Sequence, residues 1–425
     1  KILSLLAGAV VLVVIAAAIV FAADLFAANG HRAGFSLLPM PDGKTYGLSI
    51  VDDADEGGLE RVAPVYEFLD DIGVKVTKTV WMFPAAGEKC IFNEKKYTLA
   101  LPANREFVLK LRAEGHEIAT HGATPCNDRR ETIIRALDEY RALFGSWPRM
   151  NIDHAKNAEN LYFGKNRLEN TLYRFLYGFY DSGLYGGEDE KSPYFWGDIA
   201  RKRIKYSRDW YFTDLNTLAV NPSMPYRDRE KKYAPLLHSV TDAIDAGSFN
   251  RRLNPDALLL LKRDNGFSIV YTHFGFGYFD TSKKTLNPGF SRTMRRLAAD
   301  DSAWIVPASD ALDRFLLFKK IRLVPSADGV TLINDNPVRV AGVTILAPSG
   351  PRGRGASLSC SSRDCGIRSL GNGVFIVPSI PPHAKIALKS NLKTVSGKPP
   401  DYYISNAERL NCLYHFLMRA VKIRV

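Results

Sequence analysis

Short apolar runs and amphipathic stretches take turns along the chain from about residue 45 to 320. The runs at 46–51, 74–83, 116–120, 150–154, 268–273 and 304–307 are rich in β-branched and aromatic residues, as strands are. Between them, apolar positions return every three to four residues over 59–72, 104–114, 128–144, 292–299 and 309–319, the period of a helix with one buried face. Gly73, Gly115 and Gly145 stand where the first three of these helices should stop, and Asn104 and Asn127 where two should be capped. Repeated β-then-α units predict an α/β domain over 43–320, with its functional residues at the C-terminal ends of the strands.

Residues 160–235 break this rhythm. They carry Tyr194-Phe195-Trp196-Gly197-Asp198 and Met224-Pro225-Tyr226-Arg227-Asp228, and read as an aromatic-rich insertion too long for an ordinary connection. Rings mixed with polar groups suit a sugar-binding groove, and equally a buried satellite cluster. From 321 to 392, strand-like runs at 321–332, 338–346 and 374–377 are separated by Gly, Pro, Asn and Ser, which predicts a small β-sandwich. In the tail, 393–425, Ser405 and Glu408 form a capping box ahead of an apolar stripe at Leu410, Leu413, Leu417 and Val421. Arg409, Arg419, Lys422 and Arg424 make this helix basic, fit to lie on a membrane surface or to dock on the α/β domain.

At the other end, residues 2–21 form an uncharged apolar run. About 20 such residues span a bilayer as a helix, so 1–23 are expected to be a single-pass transmembrane anchor, with a cleaved signal as the alternative. Residues 24–42 read as a linker. With Lys1 inside, the remaining chain would be periplasmic or extracellular.

Composition adds three constraints. An apolar fraction of 46% argues for a folded chain. A net charge of +12 favours anionic partners, but the basic residues are dispersed and no nucleic-acid motif is present, so nucleic acid is not expected as a partner. Of five cysteines, Cys360 with Cys365 and Cys90 with Cys126 could bridge in an oxidising compartment, leaving Cys412 odd.

The candidate chemistry falls at strand ends. Asp52 and Asp53 end the first strand, with Asp55 and Glu56 close behind; His121, His154 and His273 end three later ones. A carboxylate with two imidazoles is a usual open ligand set for zinc, leaving room for water and substrate.

Here the sequence resembles a known family. Residues 104–121, NREFVLKLRAEGHEIATH, are similar to the second motif (EGHEIGNHT) of the NodB-type polysaccharide deacetylases, carbohydrate esterase family four. LSIVDDADEG, at 48–57, resembles their first motif, TFDDG, and residues 73–83 the strand that follows it. Ile269-Val270-Tyr271-Thr272-His273 resembles the late Leu-x-His motif. The likeness spans roughly 45–320 and implies a distorted (β/α) barrel of NodB type, here followed by the β-sandwich and preceded by the transmembrane helix. It further implies a divalent metal, usually Zn2+, with Asp52 as general base, Asp53 and His121 as metal ligands and His273 as the acid. Two positions depart: Pro125 stands where the second ligand histidine belongs, and Arg-x-Pro-Tyr is replaced by Arg149-Met150-Asn151-Ile152-Asp153-His154. His154 is therefore expected to supply the missing imidazole. A divergent branch reading Asp-Asp-Thr-Asp, His-Gly-Ala-Thr and Asn-x-x-His is closer still, and there Asp55 shares or replaces the role of Asp53. Asp55, Asn151, Trp196 and Tyr271 are candidate substrate contacts.

The function expected from the resemblance is metal-dependent removal of N-acetyl groups from an envelope or extracellular polysaccharide or glycolipid. One alternative is a non-catalytic glycan-binding or scaffold protein on the same fold. Another is a glycosidase pairing Asp52 with Asp181 or Asp198.

Overall fold

A computed structural model describes residues 34–85, 97–168, 171–179, 181–348, 355–361 and 365–422. The predicted anchor at 1–23 and Cys90 lie outside them. Among the described residues no helix is long and apolar enough to cross a membrane. The described residues form two compact units, one drawn from 44–316, 400–405 and 419–422, the other from 34–43, 317–399 and 406–418.

Strand β1 (Ser36–Leu38) belongs to the second unit. The first is a closed barrel of seven parallel strands: β2 (Tyr46–Asp52), β3 (Thr77–Val80), β4 (Glu117–Thr120), β5 (Met150–Asn151), β6 (Tyr206–Phe212), β7 (Leu236–Asp242) and β8 (Phe267–Thr272). Neighbours pair in that order, and β8 returns to β2 with Gly47 opposite Phe267 and Asp52 opposite Thr272. After a short hairpin of β9 (Phe279–Asp280) and β10 (Thr285–Leu286), strand β11 (Ala303–Ile305) adds to the start of β2. Every residue of β2, β6, β7 and β8 is buried, as strands covered on both faces must be. Gly47 sits where β2 is flanked by both β8 and β11; a Cβ there would lie 2.5 Å from the Phe267 ring and 2.8 Å from the Trp304 carbonyl.

The helices fall close to their predicted positions. Leu59–Asp71 buries Val62, Val65, Tyr66 and Leu69, one face at helical spacing, and Gly73 follows at φ 71°. Two caps differ from expectation. Pro102 opens the helix Pro102–Ala113, so Asn104 lies inside it and donates to the Thr98 carbonyl. The helix after β4 begins at Arg130, because Asp128 turns its carboxylate back to the amides of Ala123 and Thr124.

The region 160–235 is not wholly an insertion. It contains β6 and the helices Thr171–Gly178 and Gly197–Arg203. β6 reads Tyr-Ser-Arg-Asp-Trp-Tyr-Phe, a buried strand whose Ser207, Arg208 and Asp209 hide it from any apolar pattern.

In the second unit, β12 (Ile321–Ser326), β13 (Gly329–Asn334), β18 (Lys385–Ser390) and β15 (Leu358–Cys360) form one antiparallel sheet. β1, β14 (Val340–Leu346), β17 (Val374–Ile380) and β16 (Arg368–Gly371) form the other. A common core, including Leu332, Val343, Phe375 and Leu388, joins them as a sandwich. Ser36–Leu38, read as linker, is thus a strand here, paired to β14. Cys360 and Cys365 are disulfide-bonded, Cys126 is also in a disulfide, and Cys412 is buried.

Phe249, Phe274, Tyr278 and Phe290 interlock edge-to-face just beyond the end of β8. Phe274 follows His273 directly, so this packing holds the strand end that carries the histidine. Phe290→Ala is expected to destabilise the protein by about 3–5 kcal/mol, read as a lowered urea midpoint at unchanged m; a change under 1 kcal/mol would contradict the packing.

Candidate metal centre and active site

Asp52 and Asp53 are adjacent in a pleated segment and leave it in opposite directions. Asp52, fully buried, has its oxygens taken up by Lys78 Nζ at 2.8 Å, the Tyr66 hydroxyl at 2.8 Å and the Phe274 amide at 2.7 Å. It ties β2 to β3, to the first helix and to the segment after β8. Asp53 faces β6 instead, where Arg208 Nη1 donates to its Oδ2 at 2.9 Å. Asp53 Oδ1 is buried and has no hydrogen-bond partner among the described residues. Carbonyl and ring groups around Arg208 (the Asp153 carbonyl, with Tyr211 and Tyr271 beneath the guanidinium) complete its surroundings.

Asp55, in the loop after β2, lies among three imidazoles. Its Oδ1 is 3.0 Å from His154 Nε2; its Oδ2 is 3.2 Å from His121 Nε2 and 3.4 Å from His273 Nε2. Burial raises its carboxyl pKa, but hydrogen bonds from His121, His154 and His273 outweigh that and hold it well below the usual carboxylate range. The histidines arrive from separate strand ends: His121 after β4, His154 in the loop after β5, His273 after β8. Trp81 forms a wall, donating to the His121 carbonyl at 2.8 Å with its ring 5.3 Å from that imidazole.

Behind each imidazole stands an oxygen. His121 Nδ1 is 2.8 Å from the Ile152 carbonyl, His273 Nδ1 2.7 Å from the Ile244 carbonyl, and His154 Nδ1 3.3 Å from Asn157 Oδ1. A carbonyl only accepts, so the proton of a neutral ring resides on Nδ1 and its Nε2 presents a lone pair. Three such lone pairs then converge on a carboxylate. That arrangement is repulsive unless a proton or a cation lies between. For His273 the proton fits: burial lowers its pKa, yet the hydrogen bond and charge of Asp55, with the charge of Asp53, raise it to about 9. For His121 and His154 the donor set suits a metal, since one ligand atom each from Asp55, His121 and His154 lie within 4.8 Å of one another. Asp53, Asp55 and His273 form a second such group.

The other predicted contacts are placed as follows. Asn151 accepts from Thr120 and donates to Asp153, all buried. Trp196 packs in a satellite core with Ile133, Leu137 and Ala200 and donates to the Glu159 carbonyl. Tyr271 lies between Arg208 and His273 and is buried. Asp198 pairs with Arg130 and Asp181 with Tyr185, so neither is brought to Asp52. Sequence reasoning missed Arg208, Lys78 and Asn157. None of the three stands in a local pattern that sequence alone reads as functional.

No family model matches the sequence, and no curated protein does. Among solved structures, two proteins named as polysaccharide deacetylases are similar. The one from Mycobacterium smegmatis is 13% identical, covering 65% of this chain and 92% of its own, with a TM-score of 0.39. That from Pseudomonas aeruginosa PAO1 is 14% identical over 65% and 93%, with a TM-score of 0.40. Puue allantoinase gives 14%, 65%, 93% and 0.40. With likeness of this degree, the barrel rests on the strand order and register given above.

Two outcomes follow from the geometry. Lys78→Met leaves the Asp52 carboxylate buried without its partner and is expected to cost about 3–5 kcal/mol; an unchanged melting temperature would contradict the pairing. In metal-free protein, the raised pKa of His273 contributes stability that is complete below its unfolded value near 6.5. That contribution fades as pH rises through about 9 and is of order 3 kcal/mol. Denaturant titrations at pH 6 and 10 should show this loss in the parent and a smaller one in His273→Gln; equal losses in the two would exclude it.

Proposed function

We propose that the chain is a metal-dependent hydrolase that removes N-acetyl groups from an envelope or extracellular polysaccharide or glycolipid. The observation that carries the reading is the convergence of His121, His154 and His273 on Asp55, with the unpartnered oxygen of Asp53 in the adjoining group. The resemblance of 104–121 and 269–273 to deacetylase motifs supports the choice of reaction.

The geometry supports a reassignment of roles within the aspartate cluster. Asp55, His121 and His154 are the residues that would hold the metal, in place of Asp53 as ligand. Asp53 is the base in place of Asp52, whose oxygens are already occupied. When bound, a divalent ion such as zinc polarises the acetamide carbonyl and makes a coordinated water more acidic. Asp53 Oδ1 is the acceptor that would take a proton from an attacking water. Arg208, locked on Oδ2, fixes the carboxylate and supplies the cationic partner that the missing Arg-x-Pro-Tyr motif would have given. His273 brings its proton to the departing amine. Burial of the whole cluster strengthens each of these interactions. The envelope setting and the membrane anchor remain part of the proposal on sequence grounds: the charge of +12 suits an anionic surface, and the apolar run 2–21 suits a bilayer.

Asp53→Asn is expected to lower acetate release from N-acetylated glycans by about 10²-fold or more while zinc content is retained. Asp55→Asn should lose the zinc itself. Full turnover by Asp53→Asn, or release of reducing sugar in place of acetate, would contradict the reading; zinc binding without acetate release on any N-acetylated polymer would favour a glycan-binding protein.

A further inference from the structure

The three imidazoles share one arrangement, an oxygen behind Nδ1 and Nε2 toward Asp55, but the oxygens are of two kinds. For His121 and His273 the acceptor is a main-chain carbonyl, of Ile152 and Ile244. No side-chain substitution removes either. For His154 it is the side chain of Asn157.

The orientation of that amide is fixed by what lies on its other side. Asn157 Nδ2 is 2.8 Å from the Cys126 carbonyl, which can only accept, and 2.9 Å from Glu159 Oε1, so that atom is the donor and the opposite one the oxygen. Glu159 is held in turn by the Asp128 amide on Oε2 at 3.0 Å, and Asp128 accepts from Ala123 and Thr124. Asn157, Glu159 and Asp128 are each at most 4% exposed. The chain of bonds therefore runs from the loop after His121 to the loop after His154 and ends on the His154 ring.

We infer that Asn157 is a positioning residue that locks His154 in the Nδ1–H tautomer and so aims its Nε2 lone pair at the metal site. Without the amide oxygen, the ring loses the acceptor that stands behind Nδ1, and the preference for the Nδ1–H tautomer weakens. Partners of this kind, one bond removed from the metal, typically contribute 10–100-fold in metal affinity. The inference rests on the metal centre proposed above.

Chelator-competition titrations of zinc against the full chain test it, with Asn157→Leu, Asn157→Asp, His154→Ala and the double variant His154→Ala with Asn157→Leu. Asp keeps an acceptor for His154 but loses the donor to Cys126 and Glu159, so it separates tautomer control from simple bracing of the loops. Expected are tenfold or greater weakening in Asn157→Leu, near-parental affinity in Asn157→Asp, and no further loss when Leu is added to His154→Ala. Parental affinity in Asn157→Leu, or an additive loss in the double variant, would overturn the inference. Should Asn157→Leu fail to fold by metal-free thermal melts, Asn157→Asp decides: retained affinity supports the inference, and tenfold loss overturns it. If His154→Ala itself binds zinc as the parent does, the metal centre fails, and that result is distinct from a failure of Asn157 alone.

Discussion

Everything at the open end of the barrel is arranged around one buried carboxylate, Asp55, and the three imidazoles directed at it. Histidine and carboxylate in contact are ordinarily a salt bridge. Here each ring also has an oxygen behind it, so full protonation of all three would put three cations around one anion in a buried site. Desolvation opposes that strongly. One proton on His273 and one divalent ion shared by Asp55, His121 and His154 would meet the three imidazole lone pairs, at the same total charge but with the divalent charge bonded directly to its donors.

That constraint accounts for the surrounding structure. Asp52 and Lys78 form a separate, fully buried pair that fixes β2 against β3 and leaves the next two acidic positions free to face the site. Arg208 reaches across from β6 and takes one oxygen of Asp53, which would otherwise be a second uncompensated anion beside Asp55. The Arg208 guanidinium stacks on Tyr211 and Tyr271, so its own burial is offset by contacts to ring faces. The aspartates are thus held by separate partners, and Asp53 Oδ1, which has no hydrogen-bond partner among the described residues, lies where the proposed chemistry needs it.

Much of this was legible in the sequence, and the parts that were not have physical reasons. β2, β4 and β8 are apolar runs ending abruptly in Asp or His, so both the strands and His121 and His273 stood out. The choice among Asp52, Asp53 and Asp55 did not, because successive residues of a strand point to opposite faces and nothing local says which face is the interior. β6 escaped detection because Ser207, Arg208 and Asp209 interrupt its apolar residues, Arg208 pairing with Asp53 and Asp209 with Tyr226 and Lys231; hydropathy cannot distinguish such a strand from a polar loop. Arg149, at the motif's position, pairs with Asp310 and Asp313, and the cation on Asp53 comes from Arg208 of β6 instead. His154 could be proposed from the gap left by Pro125, but Asn157 acquires meaning only when the loops after β4 and β5 are seen to be tied together.

The central claim is that Asp55, not Asp53, is the carboxylate that shares a cation with His121 and His154. A crystal of the zinc-loaded protein, with anomalous differences recorded at the zinc edge, tests it directly. The account predicts a single strong peak bonded to an Asp55 oxygen and to Nε2 of His121 and His154, with Arg208 still on Asp53. A peak ligated by Asp53 with Arg208 displaced, or the absence of any peak among these residues, would contradict it.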